Sequence, residues 1–304
     1  MAEHQTFQNI YEAVCVALGD SQYARAATGE VKAVVNMVYL SEICNCDELY
    51  PLFWLLECDD SKKSKVKAAI TGITAATPPV VTSASHGLVT GDLITIYGVL
   101  GMTELNFRTF RVTRIGASSF SLQDFLGADI VGASYTAYTS GGYAHHRGVT
   151  LSNCRRVLQA NWHGYNKGLD FIGTEELESL ASFMDVSVSR PTRMMHRKSF
   201  NTTGTQYDHL LWYQCSDAAY NLRVWYEKQP ARLSADADIP NLPFVFHDAI
   251  IAGSITRLIK SEVQTESAVI WPGLYKSHLE FIKSYNREWW KNQKNFERSP
   301  LFLA

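Results

Sequence analysis

The chain has 304 residues, 46% of them hydrophobic, with 28 Lys and Arg against 30 Asp and Glu for a formal net charge of -2. That is enough apolar material for one large domain or two moderate ones, and the near-neutral balance excludes a protein that grips nucleic acid or an anionic membrane over its whole surface. The opening MAEHQTFQNIYEAV has no basic n-region or apolar h-region, and no run approaches the roughly 18 apolar residues of a membrane span; synthesis in a cytoplasm and no membrane partner are expected. Cysteines at 15, 44, 46, 58, 154 and 215 are too sparse for a disulfide framework and read as reduced thiols.

Phe7, Ile10, Tyr11, Val14, Cys15 and Leu18 recur at three and four, with Thr6 suited to the N-cap and Gly19 to the stop. Val31, Val34, Val35, Val38 and Tyr39 repeat that spacing through VKAVVNMVYLSEI and predict a second helix. Pro51 then breaks the period, and Pro51, Phe53 and Trp54 are expected to dock a loop on these helices. The charged run Asp59 to Lys67 reads as a solvated connector and a domain boundary.

From about Lys67 to Ala144 the composition turns to Thr, Val, Ile, Ser, Gly and aromatics, with alternation in LITIY, FRVTR and FSLQD. Short strands between Gly, Pro and Asp turns predict a small all-β domain. Its turn residues are His86, Gly87, Gly91, Asp92, Gly98, Gly101, Asn106, Gly141 and Gly142, the glycines fitting turns or bulges of positive φ. None of this spacing forms a phosphate loop.

HGLVTGDLITIYGVLGMTELNFRTFRV, then FSLQD, then YTAYTSGG at 135–142, resembles the β-module named after the first catalytic cysteine half-domain (FCCH) of ubiquitin-activating enzymes. The resemblance covers about a quarter of the chain, with HG, GD, GM and LN in order and a terminal GG. Phe107 departs from the pattern, since relatives often carry a small or turn-forming residue there. The remainder of the chain lacks the nucleotide-binding loop that adenylation needs and an evident reactive cysteine, so the module reads as a spacer or interaction surface.

Farther on, GVTLSNCRRVLQA predicts a strand and GTEELESLASF a short helix capped by Thr174. HLLWYQ and NLRVWYEK, separated by SDAAY, predict a β-hairpin, followed by the extended connector PARLSADADIPNLP. FVFHDAIIAGSITRLIK places Phe246, Ile250, Ile251, Ile255, Leu258 and Ile259 on one helical face, with Asp248 in the first turn. A last helix carries Trp271, Leu274, Tyr275, Ile282, Tyr285 and Trp289, with Pro272 suited to its first turn.

The opening helix ending in LGD, the NMVYL helix, the aromatic docking loop, LRVWYEKQPARLSADADIPNLP and HDAIIAGSITRLI together resemble podovirus head-to-tail adaptor (connector) proteins, over roughly 1–66 and 145–304. The resemblance implies an α+β fold: a helical-bundle adaptor core with a small β-hairpin or sheet, at 1–66 and 145–304, interrupted by the all-β domain at 67–144. It further implies a virion neck protein, a homo-oligomeric ring of about twelve copies beneath the portal; no enzymatic activity is expected. That ring would continue the DNA channel without sequence-specific binding and carry the tail nozzle and fibres. A carbohydrate-binding or cell-wall-degrading tail protein is the alternative.

Specific residues follow from this reading. Trp289, Trp290, Phe296, Leu301 and Phe302 are candidate anchors for a portal groove. The basic cluster RPTRMMHRK, with Arg190, Arg193, Arg197 and Lys198, reads first as a solvated loop or subunit interface and second as a channel surface facing DNA. Cys44, Cys46 and Cys58, and His145, His146, Cys154 and His163, carry zinc-compatible atoms without the paired two-residue spacings of a structural zinc site, so no metal or other cofactor is expected. GxSxG and HExxH are absent, and Glu175 and Glu176 would point about 100° apart on a helix; no catalytic residue is nominated.

Overall fold

The computed structural model describes residues 5–20, 22, 29–45, 51–165, 168–173, 175–176, 189–201, 203–259 and 266–296, with the backbone alone for 266–269 and 294–296. The chain divides into two units: Met1–Leu56 with Glu227–Ala304, and Glu57–Tyr226.

In the first unit, helix α1 spans Phe7–Ala17 and α2 spans Glu30–Met37, which passes directly into a π-helical segment, Val38–Ile43. Thr6 caps α1 as its sequence predicts, its hydroxyl accepting the Asn9 amide at 3.3 Å. The single helix predicted through VKAVVNMVYLSEI therefore changes winding at Val38. The later helices are α3, His247–Leu258, and α4, Glu266–Phe296. Pro272 lies inside α4 rather than at its first position. Phe7, Ile10, Val14, Val35, Ile250 and Ile282 belong to one core cluster drawn from these helices. Buried Asn36 donates to the Leu233 carbonyl and accepts the Leu233 amide, both at 2.9 Å. That reciprocal pair holds the extended connector as a strand partner would.

The second unit is made of strands. In chain order they are β1 Leu56–Lys63, β2 Ala68–Ala69, β3 Gly72–Ile73, β4 Val80–Thr82, β5 Asp92–Tyr97, β6 Thr109–Arg114 and β7 Ser119–Gln123. They continue with β8 Tyr143–Leu151, β9 Cys154–Trp162, β10 Asp170–Phe171, β11 Arg193–Phe200, β12 Gln206–Trp212 and β13 Asn221–Lys228. Three form a sheet in the order β1-β13-β9; the other ten form a sheet ordered β10-β11-β12-β8-β5-β6-β7-β4-β3, with β2 beside β8.

This architecture overturns the expected helical-bundle adaptor core with a small hairpin. The protein is mostly β, with a 3-stranded and a 10-stranded sheet and four α-helices among the described residues. An all-β region is present, as expected for the module. The predicted hairpin of HLLWYQ and NLRVWYEK does not form, because β12 and β13 lie in different sheets. Their apolar residues meet through a shared core instead, where Leu210 and Trp212 join Leu222, Val224 and Tyr226. Alternation identifies a strand but is silent on whether its neighbour in sequence pairs beside it or packs across it.

Charge hid other strands. Asp59 to Lys63 is part of β1 rather than a connector, with Asp60 paired to Arg223 of β13 at 2.8 Å. GVTLSNCRRVLQA spans two strands, changing sheet at Ser152–Asn153, where Asn153 takes φ 55°. Strand β8 joins the module's strands to the rest of the large sheet: Asp92–Tyr97 pair along one edge of it and Asp208–Leu211 along the other. Gly148 sits at that crossing, where an added Cβ would lie 2.2 Å from the Leu210 carbonyl oxygen. The expected helix at GTEELESLASF, with Thr174, lies outside the described residues apart from Gly173, Glu175 and Glu176.

Candidate functional site

The module's turn residues are structural in geometry. Gly87, Gly91, Gly98, Gly101, Gly141 and Gly142 all take positive φ. At Gly101 a Cβ would stand 2.1 Å from the Ala137 carbonyl oxygen, so glycine is required twice over. His86 is buried, its Nδ1 accepting the Leu88 amide at 3.0 Å and its Nε2 lying 3.2 Å from the Gly116 carbonyl. Asn106 bonds both backbone groups of Val99, accepting at 3.0 Å and donating at 2.9 Å.

Asp92 has a larger role than a turn. Its carboxylate is buried, accepts the Val89 amide at 2.8 Å, pairs with Lys65 and lies 3.4 Å from His146 Nε2. His146 Nδ1 accepts the Lys65 amide at 3.2 Å, which leaves Nε2 to carry the proton toward Asp92. Burial alone would raise the Asp92 pKa; the hydrogen bond from His146 and the charges beside it outweigh burial and hold it below the usual carboxylate range. Burial pushes His146 down, keeping it neutral. Around its neighbour His145, Arg147 donates to the Tyr213 carbonyl and, at 2.9 Å, to the Tyr97 hydroxyl, while His145 Nδ1 lies 3.1 Å from Cys215 Sγ. The histidines grouped with Cys154 on the sequence thus bind other partners.

Several large apolar side chains are exposed. Leu100, Phe107, Ile115 and Val131 lie in loops of the module at 58–66% exposure. Phe107 has φ 64°, a left-handed conformation at a non-glycine residue, which accounts for the smaller residues expected there. In the first unit, α4 exposes Ile270, Leu274, Phe281 and Tyr285. At 100° per residue these fall within about 60° of one another, beside the buried face of Tyr275, Ile282 and Asn286. Exposed Phe244 and Val245 precede α3.

The predicted anchors behave differently. Trp289 stacks on Phe53 with centroids 5.1 Å apart, and Trp290 Nε1 donates to the Pro51 carbonyl at 2.6 Å. Both serve the docking loop of their own unit. The Phe296 side chain, Leu301 and Phe302 lie outside the described residues. The basic cluster is not one patch: Arg190 lies over Tyr165, Arg193 pairs with Glu176, Arg197 lies over Phe125, and Lys198 donates to the Arg155 carbonyl. Alternation along β11 places Arg193 and Arg197 on the face opposite Lys198.

The pocket lined by Asp60, Lys63, His163, Asn221, Leu222 and Arg223 is about 260 Å³, and its Asp60 and Arg223 are committed to each other. No helix among the described residues is long and apolar enough to cross a membrane.

A family model described as the ubiquitin-activating enzyme E1 FCCH domain matches residues 78–147. The match falls on the segment whose motifs resemble that family, and the matched residues contain no cysteine that could carry a thioester. No curated protein matches the chain.

Proposed function

We propose that this chain is a structural virion protein, a head-to-tail adaptor that assembles as a ring beneath the portal and carries an FCCH-like module as a peripheral contact element. The observation that carries the reading is the apolar stripe on α4. Ile270 and Leu274 stand exposed on this face, and Phe281 and Tyr285 keep about half their surface in water while their rings also meet Phe246 of the same unit; apolar surface of this kind marks a protein interface, and a cyclic assembly copies each such contact by symmetry. The order of the LGD, NMVYL and HDAIIAGSITRLI segments, which resembles that of podovirus adaptors, supports the same reading. The near-neutral charge suits a channel through which DNA slides, since each phosphate contact would add retarding affinity. The partners are other copies of the chain, the portal, and the tail nozzle and fibres, and its place is the virion neck.

Electron microscopy of the purified chain mixed with portal tests this. A closed ring seated on the portal is the expected image. Monomers that ignore the portal and instead bind glycan or cleave peptidoglycan would replace the proposal with that of a host-directed tail protein.

A further inference from the structure

Cys154, His196 and Asp208 come from three strands and two sheets: Cys154 opens β9 of the three-stranded sheet, while His196 and Asp208 lie on neighbouring β11 and β12 of the ten-stranded one. One ligand atom from each lies within 4.8 Å of the others. Cys154 and Asp208 are buried, and the His196 side chain keeps 17% exposure, so the cluster touches solvent on one side only.

Neighbouring groups aim these atoms. Gln206 donates to Asp208 Oδ2 at 2.6 Å and to the Cys154 carbonyl at 2.7 Å, fixing the carboxylate relative to the start of β9. Asp208 Oδ1 is left facing His196 Nε2 at 2.9 Å. Lys198 stands 3.7 Å from the same oxygen and is held by the Arg155 carbonyl.

We propose that Cys154, His196 and Asp208 form a zinc site that clamps the two sheets together. Tetrahedral zinc with bonds of about 2.0–2.3 Å separates its ligands by about 3.3–3.8 Å, so the widest spacing of 4.8 Å would close by about 1 to 1.5 Å while His196 Nε2 and Asp208 Oδ1, now 2.9 Å apart, would open slightly. A thiolate and an imidazole select zinc over magnesium or calcium. The thiolate and carboxylate together neutralise the dication, which removes the main cost of burying it. On binding, the Cys154 thiol releases its proton to solvent and the His196 proton moves to Nδ1, freeing Nε2; one proton is released per metal. Water reaching the cluster past His196 supplies the fourth ligand. The sequence conceals this set because its members lie 42 and 12 residues apart, without any short paired spacing.

The test is cobalt and zinc titration of the full chain after dialysis against a chelator. One equivalent of cobalt should produce a thiolate-to-cobalt absorption band, and zinc should displace it and raise Tm. Cys154→Ser should lose the band and the Tm rise, and His196→Ala, at the solvent side, should weaken cobalt binding at least tenfold while folding normally by circular dichroism. Cys58→Ser, removing a half-exposed thiol elsewhere in the same unit, should retain both responses. Folded wild-type protein giving neither band nor Tm rise would overturn the site, as would a folded Cys154→Ser or His196→Ala variant that binds cobalt like wild type.

Discussion

Phe107 holds its ring edge-on to Tyr97, with centroids 5.4 Å apart and planes at 85°, from a backbone φ of 64°. The left-handed region costs an L-residue about 1 kcal/mol relative to glycine, and the ring recovers little because 66% of the residue is exposed. Phe107→Gly is therefore expected to stabilise the protein by about 0.5 kcal/mol after glycine's unfolded-state entropy is counted. Thermal melting should show Tm higher by one or two degrees. A lower Tm would mean that the Tyr97 contact outweighs the strain. Strain retained at an exposed aromatic is a pattern of contact residues, so the same variant should weaken any contact the module makes.

Acid should loosen the second unit through its buried histidines. Burial, with the charges of Arg147 and Lys67, pushes His145 down to about 4. Its folded pKa lies below its unfolded value near 6.5, so the unfolded state takes up more protons between these values. Stability is then present above pH 6.5 and declines as pH falls toward 4. His145 alone should contribute a loss on the order of 2 kcal/mol between pH 6.5 and 5, and His146, shifted in the same direction by burial, adds to it. Urea unfolding at the two pH values measures this; His145→Gln should flatten the dependence, and an unchanged slope would show that His145 does not titrate with unfolding.

Local rules recovered what is local. Thr6, Gly19 and the apolar spacing of Phe7 to Cys15 specify α1, and LITIY, FRVTR and FSLQD specify β5, β6 and β7, because period and caps act within one element. Pairing escaped the sequence. β12 and β13 alternate as a hairpin should, yet they lie in separate sheets, and only the shared core of Trp212 with Val224 distinguishes stacking from pairing. Arg193, Arg197 and Lys198 read as a basic patch because composition ignores the two faces of a strand. Asp92 was legible as a turn residue through its GD motif, but its partners Lys65 and His146 are brought to it only by the fold.

Trp289 illustrates the same limit with a measurable consequence. It was expected as an outward anchor, but its stacking on Phe53 ties α4 to the segment after Pro51. Trp289→Ala should cost about 2 kcal/mol, less than the 3–5 kcal/mol of a fully buried tryptophan. Equilibrium urea denaturation reads the loss. A change within about 0.5 kcal/mol, the range of surface substitutions, would return Trp289 to the surface role.

The stripe on α4 separates folding from assembly. Ile270 is 61% exposed, and Glu at that position is compatible with helix and removes little packing. Placed in an apolar contact between copies, however, it would bury an unpaired charge at several kcal/mol per interface, repeated around a closed ring. Sedimentation velocity should therefore show Ile270→Glu as monomer under conditions where the wild-type chain associates, with Tm of the monomer unchanged. Lys276→Glu, on the other side of the helix, should leave association intact. Equal association of Ile270→Glu and wild type would remove α4 from the interface, and with it the principal structural support for the ring.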